Sequence, residues 1–76
     1  LKMVEKAEEK LRSMGLRQLR VRLHGDLARI EVMPDKIPFL AENRKEIAGY
    51  LRSLGFRYVT LDLDGFSSGS MNRPLT

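Results

Sequence analysis

Two stretches of this chain follow one plan. Leu11-Arg12-Ser13-Met14-Gly15-Leu16-Arg17-Gln18-Leu19-Arg20-Val21-Arg22-Leu23 aligns with Leu51-Arg52-Ser53-Leu54-Gly55-Phe56-Arg57-Tyr58-Val59-Thr60-Leu61-Asp62-Leu63. Each reads as the end of an amphipathic helix, a glycine stop and an alternating strand. Glycine suits the position just past a helix because a left-handed backbone there costs it little. The chain is thus restricted to folds in which a helix leads into a strand twice. Two copies are too few for a solenoid, so the match describes one local solution used twice.

The remaining elements follow from spacing. At 76 residues the chain can form one domain at most. Val4, Ala7, Leu11 and Met14 recur at helical spacing and predict a helix over about 2–14. Leu40, Ile47, Ala48, Leu51 and Leu54 predict a second over about 37–54, with Asp35 as its cap and Pro38 confined to the first turn. Gly49 weakens that helix by about 1 kcal/mol relative to Ala unless it marks a close contact.

Between the helices, Leu19, Val21 and Leu23 alternate with Arg20, Arg22 and His24, and Ala28, Ile30 and Val32 alternate with Arg29, Glu31 and Met33. A two-residue turn at Gly25-Asp26 predicts a hairpin. It pairs His24 with Leu27, Leu23 with Ala28, Arg22 with Arg29, Val21 with Ile30 and Arg20 with Glu31. A slip of one residue would put charge among the apolar partners. A third strand over 58–63 turns Val59, Leu61 and Leu63 inward, with Thr60, Asp62 and Asp64 outward. A right-handed crossover makes it parallel to the second strand. The expected fold is α+β in the order α-β-β-α-β, half of a ferredoxin-like layout. Its three-stranded mixed sheet carries both helices on one face and an open charged face on the other. The domain is read as residues 1–64, followed by a tail over 65–76 whose end, from Asn72, is expected to be mobile.

Composition narrows the function classes. Hydrophobic residues at 42% and charged residues at 32% suit a soluble globular segment. No cysteine is present, which excludes disulfides and cysteine metal sites. The longest apolar runs fall far short of a membrane span, and no charged-then-apolar leader opens the chain, so a cytoplasmic location is expected. The abrupt start at Leu1-Lys2, inside a predicted helix, suggests a piece of a longer protein. A net charge of +4 permits an anionic partner without requiring one.

The charged sheet face carries the chemistry. Arg22 and Arg29 face each other, a like-charge pair that destabilises unless neutralised. Asp62 could neutralise it, and Glu31 could pair with Arg20; exposed pairs of this kind each contribute only about 0–1 kcal/mol. The alternative is a site for an anion. Arg20 and Arg22 project from the same face with forked donors that match phosphate, and Arg29 is an additional candidate contact. His24, the sole histidine, lacks companions for a zinc site and reads as a turn-capping residue. Gly65-Phe66-Ser67-Ser68-Gly69-Ser70 could present amides to a phosphate but lacks the lysine of a phosphate-binding loop. No nucleophile, base and orienting group occur together, so no catalytic residue is assigned to this chain.

In order and spacing, Leu11 to Gly15, Arg20 to Val32, Gly55 to Leu63 and Gly65 to Asn72 resemble the LarE/ExsB family of PP-loop ATP pyrophosphatases. The likeness runs from about Glu5 to Thr76. It implies an ATP-dependent sulfur transferase that adenylylates a carboxylate on a pyridinium mononucleotide and replaces it with sulfur, toward the nickel-pincer nucleotide cofactor. The sulfur comes from a sacrificial cysteine or through an iron-sulfur cluster. The PP-loop motif and that cysteine are absent here, so the resemblance implies a carboxy-terminal accessory domain that is not an enzyme by itself and binds no cofactor alone. ATP and Mg would belong to the parent, whose amino-terminal PP-loop domain would be the partner, in a homo-oligomer. By position, Arg20 and Arg22 match arginines associated with the substrate phosphate, and Glu8 and Glu31 match acidic positions linked to the active site and its metal. Only Asp35 stands near where the family carries an acidic residue before the second helix, and Ser67 replaces its usual tail arginine.

Two other classes compete. A basic ferredoxin-like layout also suits a nucleic-acid-binding or regulatory module, but such sheets stack bases on exposed aromatics. Arg20, Arg22, Arg29, Glu31, Thr60 and Asp62 supply none. A purely structural oligomerisation domain is the third reading.

Overall fold

The computed structural model describes residues 1–66. The expected tail beyond Phe66, with its serine-rich loop and mobile end, lies outside the described residues. The chain forms α1 (Lys2–Ser13), β1 (Leu19–His24), β2 (Leu27–Val32), a 3-10 turn (Pro34–Lys36), α2 (Ile37–Glu42), α3 (Arg44–Leu54) and β3 (Tyr58–Leu61). This is the expected α+β architecture, a three-stranded sheet in the order β1-β2-β3.

The hairpin adopts the register that the alternation dictates. β1 and β2 are antiparallel, with Val21 opposite Ile30, Arg22 opposite Arg29 and Arg20 opposite Glu31. β3 runs parallel to β2, placing Val59 beside Ala28 and Leu61 beside Ile30. Ala7 and Leu11 of α1 and Ile47 and Leu51 of α3 pack with Val21, Ile30 and their neighbours in one buried cluster. Burying a Leu or Ile side chain contributes about 1.5–3 kcal/mol, so this layer holds the sheet to the helices. Gly15 and Gly55, which stop the helix of each aligned unit, take φ +99° and +118°.

Three local expectations change. The second helix is divided into α2 and α3 at Asn43, whose φ of −104° and ψ of 22° leave the helical range. The Asn43 side chain donates to the Phe39 carbonyl at 2.9 Å, and its backbone N–H donates to the same oxygen at 3.1 Å. Asparagine so bonded competes with the helical ladder. Asp35 does not cap α2: it lies in the 3-10 turn that Pro34 opens, and no side-chain cap bond forms.

The third strand ends at Leu61, and Leu63, expected inside, is 81% exposed. The Asp62 N–H still bonds to the Ile30 carbonyl at 2.9 Å, but the next rung, the Val32 carbonyl, is taken by Phe66 N–H at 2.7 Å. The intervening residues turn: Asp62 Oδ1 accepts from Asp64 N–H at 2.9 Å, and the Asp62 carbonyl accepts from Gly65 N–H at 3.1 Å. Among the described residues, no helix is long and apolar enough to cross a membrane.

Candidate anion-binding face

The sheet surface away from the helices is less open than the alternation suggests. Glu31, on the central strand, is fully buried, and Arg22 and Arg29 beside it are each only 23% exposed. A carboxylate withdrawn from water needs charged hydrogen bonds to remain ionised. Arg29 supplies one. Its Nη1 donates to Glu31 Oε2 at 2.7 Å and to Asp62 Oδ2 at 2.6 Å, one nitrogen using both hydrogens on two carboxylates. Its Nε donates to His24 Nε2 at 3.2 Å, which requires the imidazole proton on Nδ1. His24 is therefore a side-chain acceptor for Arg29 rather than a cap for the turn.

Arg22 and Arg20 are placed differently. Arg22 Nε lies 3.6 Å from Glu31 Oε2, and among the described residues that nitrogen makes no hydrogen bond. By cross-strand position, Arg20 could have paired with Glu31. Instead its guanidinium stands 5.9 Å from the centroid of the Phe66 ring, and among the described residues no carboxylate is within ion-pair distance of it. A cation over an aromatic face keeps its N–H edge available to other acceptors. Among the described residues, this face gathers three guanidiniums around two carboxylates. Asp62 takes the neutralising role expected of it, through Arg29.

Gly65 makes the Phe66 contact feasible. It is buried at φ +85°, and a Cβ there would lie 2.8 Å from the Val32 carbonyl oxygen. Glycine is the residue that fits so close to backbone in that conformation. The pairing of Phe66 with Arg20 was missed in the sequence; the turn pattern Asp62-Leu63-Asp64-Gly65 was the available signal.

Glu8 occupies another place. From α1 its Oε2 accepts from the Val21 N–H at 3.0 Å, closing the outer edge of β1, and Oε1 lies 3.5 Å from Arg12. The structure does not bring Glu8 and Glu31 into one cluster. Among the described residues, no group of three or more His, Cys, Asp or Glu side chains gathers around a place for one ion. Among the described residues, Glu8 serves an edge N–H and Glu31 meets a guanidinium pair.

Fold and site together define a small α+β domain with a guanidinium-rich, carboxylate-braced sheet face. The chain is 55% identical over 92% of its length to the pyridinium-3,5-bisthiocarboxylic acid mononucleotide synthase of Lactiplantibacillus plantarum, spanning 25% of that protein. It is 44% identical over its whole length to an uncharacterised protein of Synechocystis, spanning 29% of it. The chain is therefore the counterpart, within the LarE line, of a quarter or slightly more of such a protein. No protein-family model matches it.

Proposed function

We propose that this chain is the carboxy-terminal accessory domain of a LarE-type, ATP-dependent sulfur transferase for nickel-pincer cofactor synthesis, and that Arg20 and Arg22 bind the phosphate of its pyridinium mononucleotide. The similarity to a mononucleotide synthase supports the substrate class. One observation carries the site: Arg29 is held by two carboxylates and an imidazole, whereas Arg20 and Arg22 make no hydrogen bond to a carboxylate among the described residues. Phosphate is the anion whose oxygens match a pair of guanidinium forks. Arg29 then acts as the brace that keeps Glu31 from closing on Arg22. ATP, Mg and the PP-loop chemistry belong to the rest of the parent protein, and a metal role for Glu8 or Glu31 needs donors from there. That parent is read as cytoplasmic.

The test is titration of the full-length parent with inorganic phosphate and with a pyridinium mononucleotide, followed by amide and guanidinium NMR. Arg20 and Arg22 should respond most and Arg29 least. Arg22→Lys keeps the charge but loses the fork and should weaken mononucleotide binding about tenfold, the loss of roughly one charged hydrogen bond. Silence at both arginines with intact turnover would sink the assignment.

One observation favours a second reading. Tyr58, 59% exposed, sits beside Leu27 on the same outer face, an aromatic platform that the pattern of charges conceals. Sheet-based RNA binders stack two or three bases, and here carboxylates stand at the centre of the face. RNA affinity with a steep salt dependence, lost in Tyr58→Ala, would favour that reading.

A further inference from the structure

The turn that follows β3 exchanges one side chain for another on the sheet face. Asp62 N–H reaches the Ile30 carbonyl of the parallel strand β2. A regular strand would next bring Asp64 N–H to the Val32 carbonyl, and with it the Asp64 carboxylate to the face that carries Arg20. The chain does otherwise. Asp62 Oδ1 accepts the Asp64 N–H at 2.9 Å, Gly65 turns at φ +85° against the Val32 carbonyl, and Phe66 N–H takes that carbonyl at 2.7 Å. Two extra residues are thus fitted between consecutive rungs. The place of a carboxylate near Arg20 goes to a half-buried ring whose centroid is 5.9 Å from the guanidinium.

We infer that Phe66 is a positioning residue for the anion site: its ring holds the Arg20 guanidinium on the sheet face, near Arg22 along β1, without neutralising it. The inference rests on the phosphate reading and adds a residue to it. Three features support it. The first is the chemistry of the support. An aromatic face orients a cation while leaving its N–H edge to another acceptor, whereas a carboxylate in the same place would occupy that edge. The second is how the ring is delivered. A Cβ on residue 65 would lie 2.8 Å from the Val32 oxygen, so the turn depends on a glycine that nothing but the return of Phe66 to β2 requires. The third is coupling. Asp62 Oδ2 accepts from Arg29 Nη1 at 2.6 Å while Oδ1 holds the turn, so one carboxylate fixes both the brace and the segment that presents the ring. An arginine side chain loses rotamer freedom when it binds a ligand, and a guanidinium already held loses less.

The experiment is calorimetric titration of the full-length parent with inorganic phosphate at fixed pH, with guanidinium NMR of Arg20. The variants are Phe66→Leu, Phe66→Tyr, Arg20→Ala, Arg22→Ala and the double variant Phe66→Leu with Arg20→Ala. Phe66→Leu should weaken phosphate binding about two- to fivefold, the equilibrium equivalent of an exposed cation–π contact, with unchanged circular dichroism and a more mobile Arg20 guanidinium. Phe66→Tyr, which keeps the ring, should bind as the native protein does. In the Arg20→Ala background Phe66→Leu should have no further effect, because the ring acts through that guanidinium. If Arg20→Ala weakens binding while Phe66→Leu leaves it unchanged or tightens it, the positioning role is overturned and the phosphate reading stands. An effect of Phe66→Leu that persists in full without Arg20 overturns the role as well, since the ring would then act on the ligand or the fold directly. Phosphate binding that neither Arg20→Ala nor Arg22→Ala alters refutes the phosphate reading, and the role of Phe66 with it.

Discussion

Replacing Glu31 by Gln tests the charged face most directly, because that carboxylate is fully buried and shared between two guanidiniums. The substitution keeps volume and one acceptor oxygen but removes the charge. Breaking a buried pair from one side costs about 3–5 kcal/mol when the remaining charge is sealed in. That is an upper bound here. Arg29 keeps Asp62 at 2.6 Å, and at 23% exposure both arginines reach some water. What is lost is mainly the charge assistance of the 2.7 Å bond, against a typical about 1.5–3 kcal/mol for such a bond. We therefore expect about 2 kcal/mol, equivalent to a fall in Tm of roughly 8–16 °C for a domain of this size. Urea unfolding followed by circular dichroism should show a lower midpoint with unchanged slope, because the area exposed on unfolding is the same. The loss should persist at high salt, since a sheltered pair is weakly screened. In an Arg29→Met background the same substitution should cost less, which exposes the coupling. A loss below about 0.5 kcal/mol in the native background, within the range of ordinary surface changes, would refute the reasoning.

Three further outcomes follow from local geometry. Gly65→Ala should destabilise by about 1–3 kcal/mol, combining left-handed strain with a Cβ held 2.8 Å from the Val32 oxygen, and should loosen the Arg20–Phe66 contact, seen as a change in Phe66 ring NMR shifts. Glu8→Ala removes the acceptor 3.0 Å from Val21 N–H; about 1 kcal/mol of stability should go, with faster hydrogen exchange at the Val21 amide. Gly49→Ala should raise stability by about 0.5–1 kcal/mol in the same urea assay, because a Cβ there meets nothing within 4 Å and the helix gains a better former.

The parts of the fold legible in the sequence are those that periodicity determines. Val21, Ile30, Leu23 and Ala28 must share a face, so the hairpin register had a single answer. The crossover helix between β2 and β3 likewise determined the direction of β3. Side-chain competition was not legible. Asn43 interrupts a continuous apolar stripe because its amide reaches the Phe39 carbonyl, a contact no hydrophobic pattern records. Leu63 fits the alternation of β3 yet is outside, because Asp62 binds the following backbone and turns the chain. At the site, cross-strand position suggested Arg20 for Glu31, but the carboxylate goes to Arg29 at 2.7 Å and Arg22 at 3.6 Å. Position along a strand limits which side chains can meet; their lengths and the returning Phe66 decide which do.

The unequal treatment of the three arginines bears on why the face is built this way. A solvated surface would leave each guanidinium to a neighbouring carboxylate or to water, at about 0–1 kcal/mol per pair. Here one carboxylate is taken wholly out of solvent, which is a poor route to stability, since desolvation offsets much of the attraction. Both carboxylates converge on the same nitrogen of Arg29, so the neutralisation is concentrated on the middle of the sheet. Arg22 is held near Glu31 but beyond hydrogen-bond distance, and Arg20 leans on a ring instead of an anion. Among the described residues, the two guanidiniums on β1 thus make no hydrogen bond to a carboxylate. That difference in partners is what an oxyanion would require of a receiving surface, and it is the physical support for the proposal that Arg20 and Arg22 take the phosphate while Arg29 braces them.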